Sequence, residues 1–392
     1  MKIAMVAESF LPSMNGVTHS VLQILDYLTD RGHQPTVIAA ADHLAADSHR
    51  TANGRRLAVH RLPAVALPGY QSFRVAPGGS NRLRRLLTDI DPDVVHLASP
   101  FVLGWRAILA ADRLGLPTVA VYQTEVPGYA ARYGVRAAES LLWKRIVDIH
   151  DRASITLAPS TFSCAELAAR GIPRVRRWGR GVDARRFRPH CRDHELRSRL
   201  APDGGVIIGY VGRLAAEKQI DDLAVLSDLA GCRLVITGSG PYEDRLRAAL
   251  PGAIFTGFLG GDDLAAMMAS LDIFVHPGES ETFCQTIQEA MACGVPVVAV
   301  GRGGPVDLVD HSRTGWLYRP GDLDALRARV ADLAGDARKR GAFGRTATER
   351  VRGTSWTAVC DELMQHYRDA VRSGPPLRRH ARHRSVADRS IA

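Results

Sequence analysis

Two carboxylates, Glu281 and Glu289, stand eight positions apart in the stretch HPGESETFCQTIQEAMACGVPVVA, residues 276–299. A strand-like run ends at His276, Pro277-Gly278 breaks it, and a helical pattern runs on to Cys293 before Gly294-Val295-Pro296. The pattern predicts a helix from about Glu281 or Thr282 to Cys293. On such a helix eight positions turn by about 80° net and rise by about 12 Å, too far for a close acid–base dyad. Glu281 then lies at the helix mouth. The amides of Phe283, Cys284 and Gln285 point out of the N-terminus, where an anion is favoured. Carboxylates accept hydrogen bonds from sugar hydroxyls, so the layout suits an extended ligand with hydroxyls at both ends and phosphate in the middle. The plainer alternative has Glu281 compensating the helix dipole and Glu289 in solvent.

Cations stand at a second break of the same kind. The apolar run 206–211 meets Gly212 and Arg213, and Lys218 follows five residues later. Arginine offers a planar fork and lysine a point charge, which together suit a diphosphate; the alternative is two solvated charges. The frame of a Walker A loop is absent. Gly238-x-Gly240 follows another apolar run, but Glu243 holds the third position of the dinucleotide fingerprint, which disfavours a nicotinamide cofactor. Asn15-Gly16-Val17 sits where a loop enters a helix, and Gly16 would let a ligand approach the backbone; a plain glycine turn is the alternative. Asp91-Pro92-Asp93 has the DxD spacing of some metal sites, yet Pro92 and the following strand favour a turn. His33 and His96 read as structural.

Strand ends must position these groups. Apolar runs at 2–7, 35–40, 57–61, 93–98, 117–122 and 154–158, then at 206–211, 233–238, 253–256, 272–276 and 295–300, alternate with amphipathic stretches such as 17–31 and 102–114. Continuous apolar strands between helices predict parallel sheets covered on both faces, a doubly wound α/β architecture. The first series ends near residue 160 and the second begins at Val206, so two Rossmann-like domains are expected. Their boundaries are 1–178, a linker at 179–190, 191–354, a helix at 355–372 and a basic tail at 373–392. Ligands bind beyond the carboxyl ends of such strands, so facing loops would share one cleft.

Composition narrows the partners. The 392 residues are 46% hydrophobic and 23% charged, enough for two cores, and no run approaches the roughly 18 apolar residues of a membrane span. MKIAMVAESFL reads as a buried first strand rather than a signal segment. Six scattered cysteines without a CxxC pair predict no disulfide framework and a reducing cytoplasm. The formal charge is +10, of which the tail 373–392 supplies +4, and residues 170–188 hold eight arginines against Asp183. Phosphate-bearing molecules and anionic membranes are admissible partners; nucleic acid ranks last, since no helix-turn-helix, zinc-finger or RNP-like signature is present. Segments 82–87 and 132–147 mix cations with apolar residues, which suits an anionic bilayer and equally suits ordinary helices packed on a sheet.

The ordered set resembles the retaining glycosyltransferases of the GT-B fold, family 4: Gly16-Val17, RGVDARRFRP at 180–189, GRLAAEK at 212–218, TGSGP at 237–241, ETFCQTIQE at 281–289 and GVPVVA at 294–299. It spans roughly residues 1–370. The resemblance implies two Rossmann-like domains facing a cleft, with the C-terminal helix returning to the N-terminal domain. It implies that Gly16, Arg213 and Lys218 hold the donor diphosphate and that Glu281 contacts the sugar hydroxyls. Phe283, Cys284 and Gln285 would offer amides to sugar and phosphate, and Glu289 would bind the ribose. Segment 120–129 matches the sugar-side loop, with Gln123 where many relatives have histidine, Thr124 beside it, and Glu125 as an acceptor-side carboxylate. AESFLPSMNGV, VVHLASP, VYQTEVPGYA and VHPGESETFCQ are similar to the actinobacterial α-mannosyltransferase branch that uses GDP-mannose and builds membrane glycolipids. That branch implies catalysis through Arg213, Lys218 and Glu281, no metal or other cofactor, and a lipid-linked acceptor of the glucuronosyl diacylglycerol or phosphatidylinositol mannoside type. It also implies a cytoplasmic enzyme, peripheral on the inner face of the plasma membrane. A UDP-sugar donor with a soluble acceptor, or a nucleotide-sugar-binding protein without turnover, are the alternatives.

Overall fold

The runs buried on both faces form two sheets. The computed structural model describes residues 1–42, 46–67, 70–76, 78–99, 101–124 and 136–376. In the first sheet Lys2–Ala7 lies between Gln34–Ala40 and Val94–Leu97 and pairs with both in parallel. Thr118–Val121, Ile155–Ala158 and Val175–Arg177 extend one side; Arg56–Leu62 and Ser48–Arg50 extend the other, the last antiparallel. The second sheet is wholly parallel, in the order Ile254–Gly257, Cys232–Thr237, Val206–Val211, Ile273–His276, Val297–Val300, Gly315–Tyr318. Each sheet therefore reverses strand direction of growth beside its first strand, which opens a crevice at the carboxyl ends. This is the expected pair of Rossmann-like domains.

The expected strands appear within a residue or two of their predicted bounds. Three further strands in the two sheets were not expected: Ser48–Arg50, Val175–Arg177 and Gly315–Tyr318. All three lie at sheet edges, where one side needs no apolar cover. A separate antiparallel pair, Val65–Leu67 with Tyr70–Val75, was also not expected. Asp91 and Asp93 both bind Lys2, one at the ammonium (3.1 Å) and one at the backbone N–H (2.8 Å). They stand at the start of the first strand, the opposite end from the crevice.

The chain crosses between domains twice, side by side. After Trp178 the first crossing runs through Val182, whose N–H donates to the Thr354 carbonyl (2.8 Å) on the return. The helix Trp356–Ser373 then packs on the first sheet. Trp356, Val359, Cys360, Leu363, Met364, Tyr367 and Ala370 recur at helical spacing and join a core with Ile3, Met5, Val94 and Val119. Two buried polar ties fix it: Trp178 donates to the Val359 carbonyl (2.9 Å), and the Tyr367 hydroxyl bonds His96 Nδ1 (2.8 Å). Tyr367→Ala is expected to cost about 3–5 kcal/mol, since it empties core volume and strands His96. Urea denaturation measures the loss; a change under about 1 kcal/mol would show the helix is not part of the N-terminal core.

Candidate active site

At the second sheet's crevice the loops after Val206–Val211 and Ile273–His276 face each other. The first begins at Gly212. Gly238, at φ +137°, lets the neighbouring strand end lie against it, because a Cβ there would run into the Gly212 carbonyl oxygen. A single 3-10 turn, Ala216–Lys218, then aims Lys218 across the crevice. The Lys218 ammonium binds the Glu281 carboxylate, and the same oxygen lies 3.2 Å from His276 Nε2. Beside it, Gln219 Oε1 accepts the Glu279 N–H (2.9 Å), and the Gly304 N–H donates to the Glu281 carbonyl (2.7 Å). Arg213 pairs with Glu217, whose side chain is fully buried.

These charges set one another. Burial alone would raise the Glu281 carboxyl, but the Lys218 ammonium and the His276 imidazole outweigh it and hold the pKa at about 2. Burial alone would lower His276, but Cys284 and Glu281 hold it up, to about 9. Arg213 faces Glu217, while Lys218 and His276 share the Glu281 carboxylate. His276, Glu281 and Cys284 offer ligand atoms all within 4.8 Å of one another. Lys218 already holds that carboxylate, so a bound cation would have to displace like charge.

The helix begins later than expected, at Gln285, and ends at Ala292. Cys284 sits at φ +76°, a left-handed conformation no right-handed helix admits, so residues 281–284 form a loop. Glu281 is therefore not on the helix, and the helical arithmetic does not measure its distance from Glu289. The N–H groups of Phe283, Cys284 and Gln285, which follow Glu281 in the same loop, donate to no carbonyl among the described residues. Glu289 is not in solvent: it is buried, and burial raises its pKa to about 8 against a hydrogen bond from Gln285 and the nearby Arg186.

The first domain contributes two further groups. Gly16 opens the helix Gly16–Asp30, exposed and with open space where a Cβ would stand; Asn15 Oδ1 caps it by accepting from Val17 and Thr18 (both 3.0 Å). Gln123 is half-buried. Its backbone carbonyl accepts from Thr282 Oγ1 (3.1 Å), which ties it to the loop of Glu281. Its side-chain amide donates to the Ala98 carbonyl and accepts from Arg180. Thr124 follows, half-buried, and Glu125 lies outside the described residues. Sequence reasoning had not assigned His276, Glu217 or Arg180 to the site. His276 had one available signal, its place as the last strand residue before Pro277.

Two facing crevices, with cations and free amides on one wall, define a GT-B glycosyltransferase. Residues 14–186 match the family described as Glycosyltransferase Family 4, and residues 192–350 match Glycosyl transferases group 1. The chain is 49% identical to a GDP-mannose-dependent alpha-mannosyltransferase of Mycolicibacterium smegmatis, over 94% of this chain and 97% of that one. It is 42% identical to a protein of the same description from Corynebacterium glutamicum, over 95% and 89%. A solved sucrose-phosphate synthase from Thermosynechococcus elongatus shares the fold, with a TM-score of 0.78 and 20% identity over 94% of this chain and 98% of that one. The protein thus belongs to glycosyltransferase family 4, in the actinobacterial branch that holds these mannosyltransferases, and is a hexosyltransferase.

The raised acid makes a stability test. An acid whose folded pKa is raised contributes stability that is complete below its ordinary pKa of 4.5 and lost as the pH climbs through about 8. Glu289→Gln cannot ionise. Its melting temperature is expected to gain on that of the wild type between about pH 5 and pH 9. A difference that stays constant across that range would place Glu289 in water.

Proposed function

We propose that the protein transfers mannose from GDP-mannose, with retention and without a metal, to a membrane glycolipid of the glucuronosyl diacylglycerol or phosphatidylinositol mannoside type. The observation that carries the reading is the pair of crevice cations Arg213 and Lys218 beside the Glu281 loop, whose amides at 283–285 donate to no carbonyl among the described residues, in a chain 42–49% identical to enzymes described as GDP-mannose-dependent. The donor diphosphate exchanges ion-pair partners with the site: it takes Lys218 and Arg213, and Glu281 is freed to accept the mannose hydroxyls. Glu289, desolvated and short of donors, accepts the ribose hydroxyls.

The C1–O bond to the diphosphate then breaks, and its electron pair goes to the leaving oxygen. Arg213, Lys218 and the amides of residues 283–285 stabilise that charge, which grows only in the transition state. The acceptor hydroxyl attacks C1 on the face the diphosphate leaves and hands its proton to the departing phosphate oxygen. No protein nucleophile is needed. A lipid acceptor agrees with the helix Ser80–Ile90, which buries Leu83 and Leu87 and exposes Arg82, Arg84 and Arg85. Among the described residues no helix is long and apolar enough to cross a membrane.

Arg213→Ala would remove an ion-pair partner of a fully buried carboxylate and confound function with folding. Arg213→Lys keeps the charge and loses the fork. It is expected to lower kcat by about 10²-fold at an unchanged melting temperature; near-normal turnover would sink the assignment. The substrates are tested by mass-identified products from GDP- and UDP-sugars offered with a lipid extract. Transfer only from a UDP-sugar, or only to soluble acceptors, would replace this reading. Binding to anionic vesicles is expected to weaken with salt, and binding that salt leaves unchanged would exclude electrostatic docking.

A further inference from the structure

We propose that Arg180 is a third substrate-holding cation of the cleft, gripping an oxyanion of a bound substrate, a role that rests on the transferase reading above. Arg180 lies on the first crossing between domains and is buried, with 6% of its surface exposed. Its guanidinium stacks over the Trp178 ring at 4.8 Å. It donates to Gln123 Oε1 and, at 3.3 Å, to the Gly179 carbonyl. Both acceptors are neutral. Among the described residues no carboxylate lies within ion-pair reach of it.

The titratable groups around Arg180 do not neutralise it. Burial, helped by Arg180 itself, takes His96 down to about 3 and also lowers His19. Burial pushes the Cys360 thiol up to about 12, so it too is uncharged at neutral pH. Arg180 is lowered by burial only to about 10 and keeps its proton. Among the described residues this buried guanidinium faces only neutral acceptors, an arrangement that is costly unless a counter-charge such as a ligand oxyanion meets it.

Its position says where that ligand is. The Arg180 carbonyl accepts from Gln288 Nε2 (3.0 Å) and the Gly181 carbonyl from Gln285 Nε2 (2.9 Å), both on the helix Gln285–Ala292 of the donor side. The side chain reaches the other way, to Gln123 of the first domain. Gln123 in turn touches Thr282, next to Glu281. Arg180 thus sits where the two walls of the cleft meet, one side chain away from the Glu281 loop. The proposed substrates carry two oxyanions that Arg180 could hold: the donor diphosphate, and the carboxylate of a glucuronosyl acceptor.

The test uses Arg180→Gln and Arg180→Lys in the full chain, with melting temperatures as the folding check. GDP and guanosine are titrated against each variant. Transfer from GDP-mannose is compared on glucosyl and glucuronosyl diacylglycerol, which differ by the carboxylate. If the diphosphate is held, Arg180→Gln weakens GDP about tenfold or more and leaves guanosine unchanged, with Arg180→Lys between. If the acceptor carboxylate is held, GDP binding is unchanged and the kcat/KM preference for the glucuronosyl lipid collapses towards one. A folded Arg180→Gln that matches the wild type in both assays overturns the proposal. So does equal loss on all ligands in both variants with a lowered melting temperature, which marks a packing role. A wild type that binds no GDP and uses neither lipid overturns the GDP-mannose and glycolipid reading above instead.

Discussion

The Glu281 carboxylate lies between two cations that arrive from different strand ends, Lys218 and His276. Everything else at the crevice depends on that contact. It joins the two loops that flank the strand-order reversal of the second sheet, and it lets three charged groups, His276 buried and Lys218 and Glu281 half-buried, share one site. A buried charge left alone is expensive, so each member holds the others in place. The cations are thereby oriented before any ligand arrives, which is what makes electrostatic stabilisation effective. The same logic explains the fold around it: Gly238 and Gly304 are where backbones must close up for the two loops to meet.

Much of this was legible because parallel strands buried on both faces leave continuous apolar runs. Arg213, Lys218 and Glu281 stood out as charges placed just after such runs, where a doubly wound sheet puts its ligand. The edge strands were not legible: VRR at 175–177 and SHR at 48–50 carry no apolar signal, because one side of each faces water. The helix start was misplaced for a different reason. Cys284 adopts a left-handed backbone, and a cysteine announces that conformation far less than a glycine or asparagine would. Glu217 and Arg180 were missed as site groups because their significance is burial, and burial of a lone charged residue leaves no trace in local spacing.

The two domains also differ in how they neutralise charge. The second closes its account internally, with carboxylates placed against Arg213 and Lys218. At the junction with the first domain, Arg180 meets only dipoles among the described residues, while the pKa values of His96 and His19 are lowered around it. A ligand spanning the cleft therefore meets a preformed ion network on one wall and a guanidinium held by neutral acceptors at the seam. The seam is also where Gln285 and Gln288 clasp the crossing strand.

The return of the last helix to the first sheet has a consequence for the order in which the chain is completed during synthesis. The N-terminal strands leave the ribosome first, yet their core includes Trp356, Leu363 and Tyr367. The first domain must wait, with one face covered only in part by the helix Gly16–Asp30, while the second domain is made. These N-terminal strands are thus among the last to be sealed, and the nascent chain carries a partly exposed apolar face until the last helix is made.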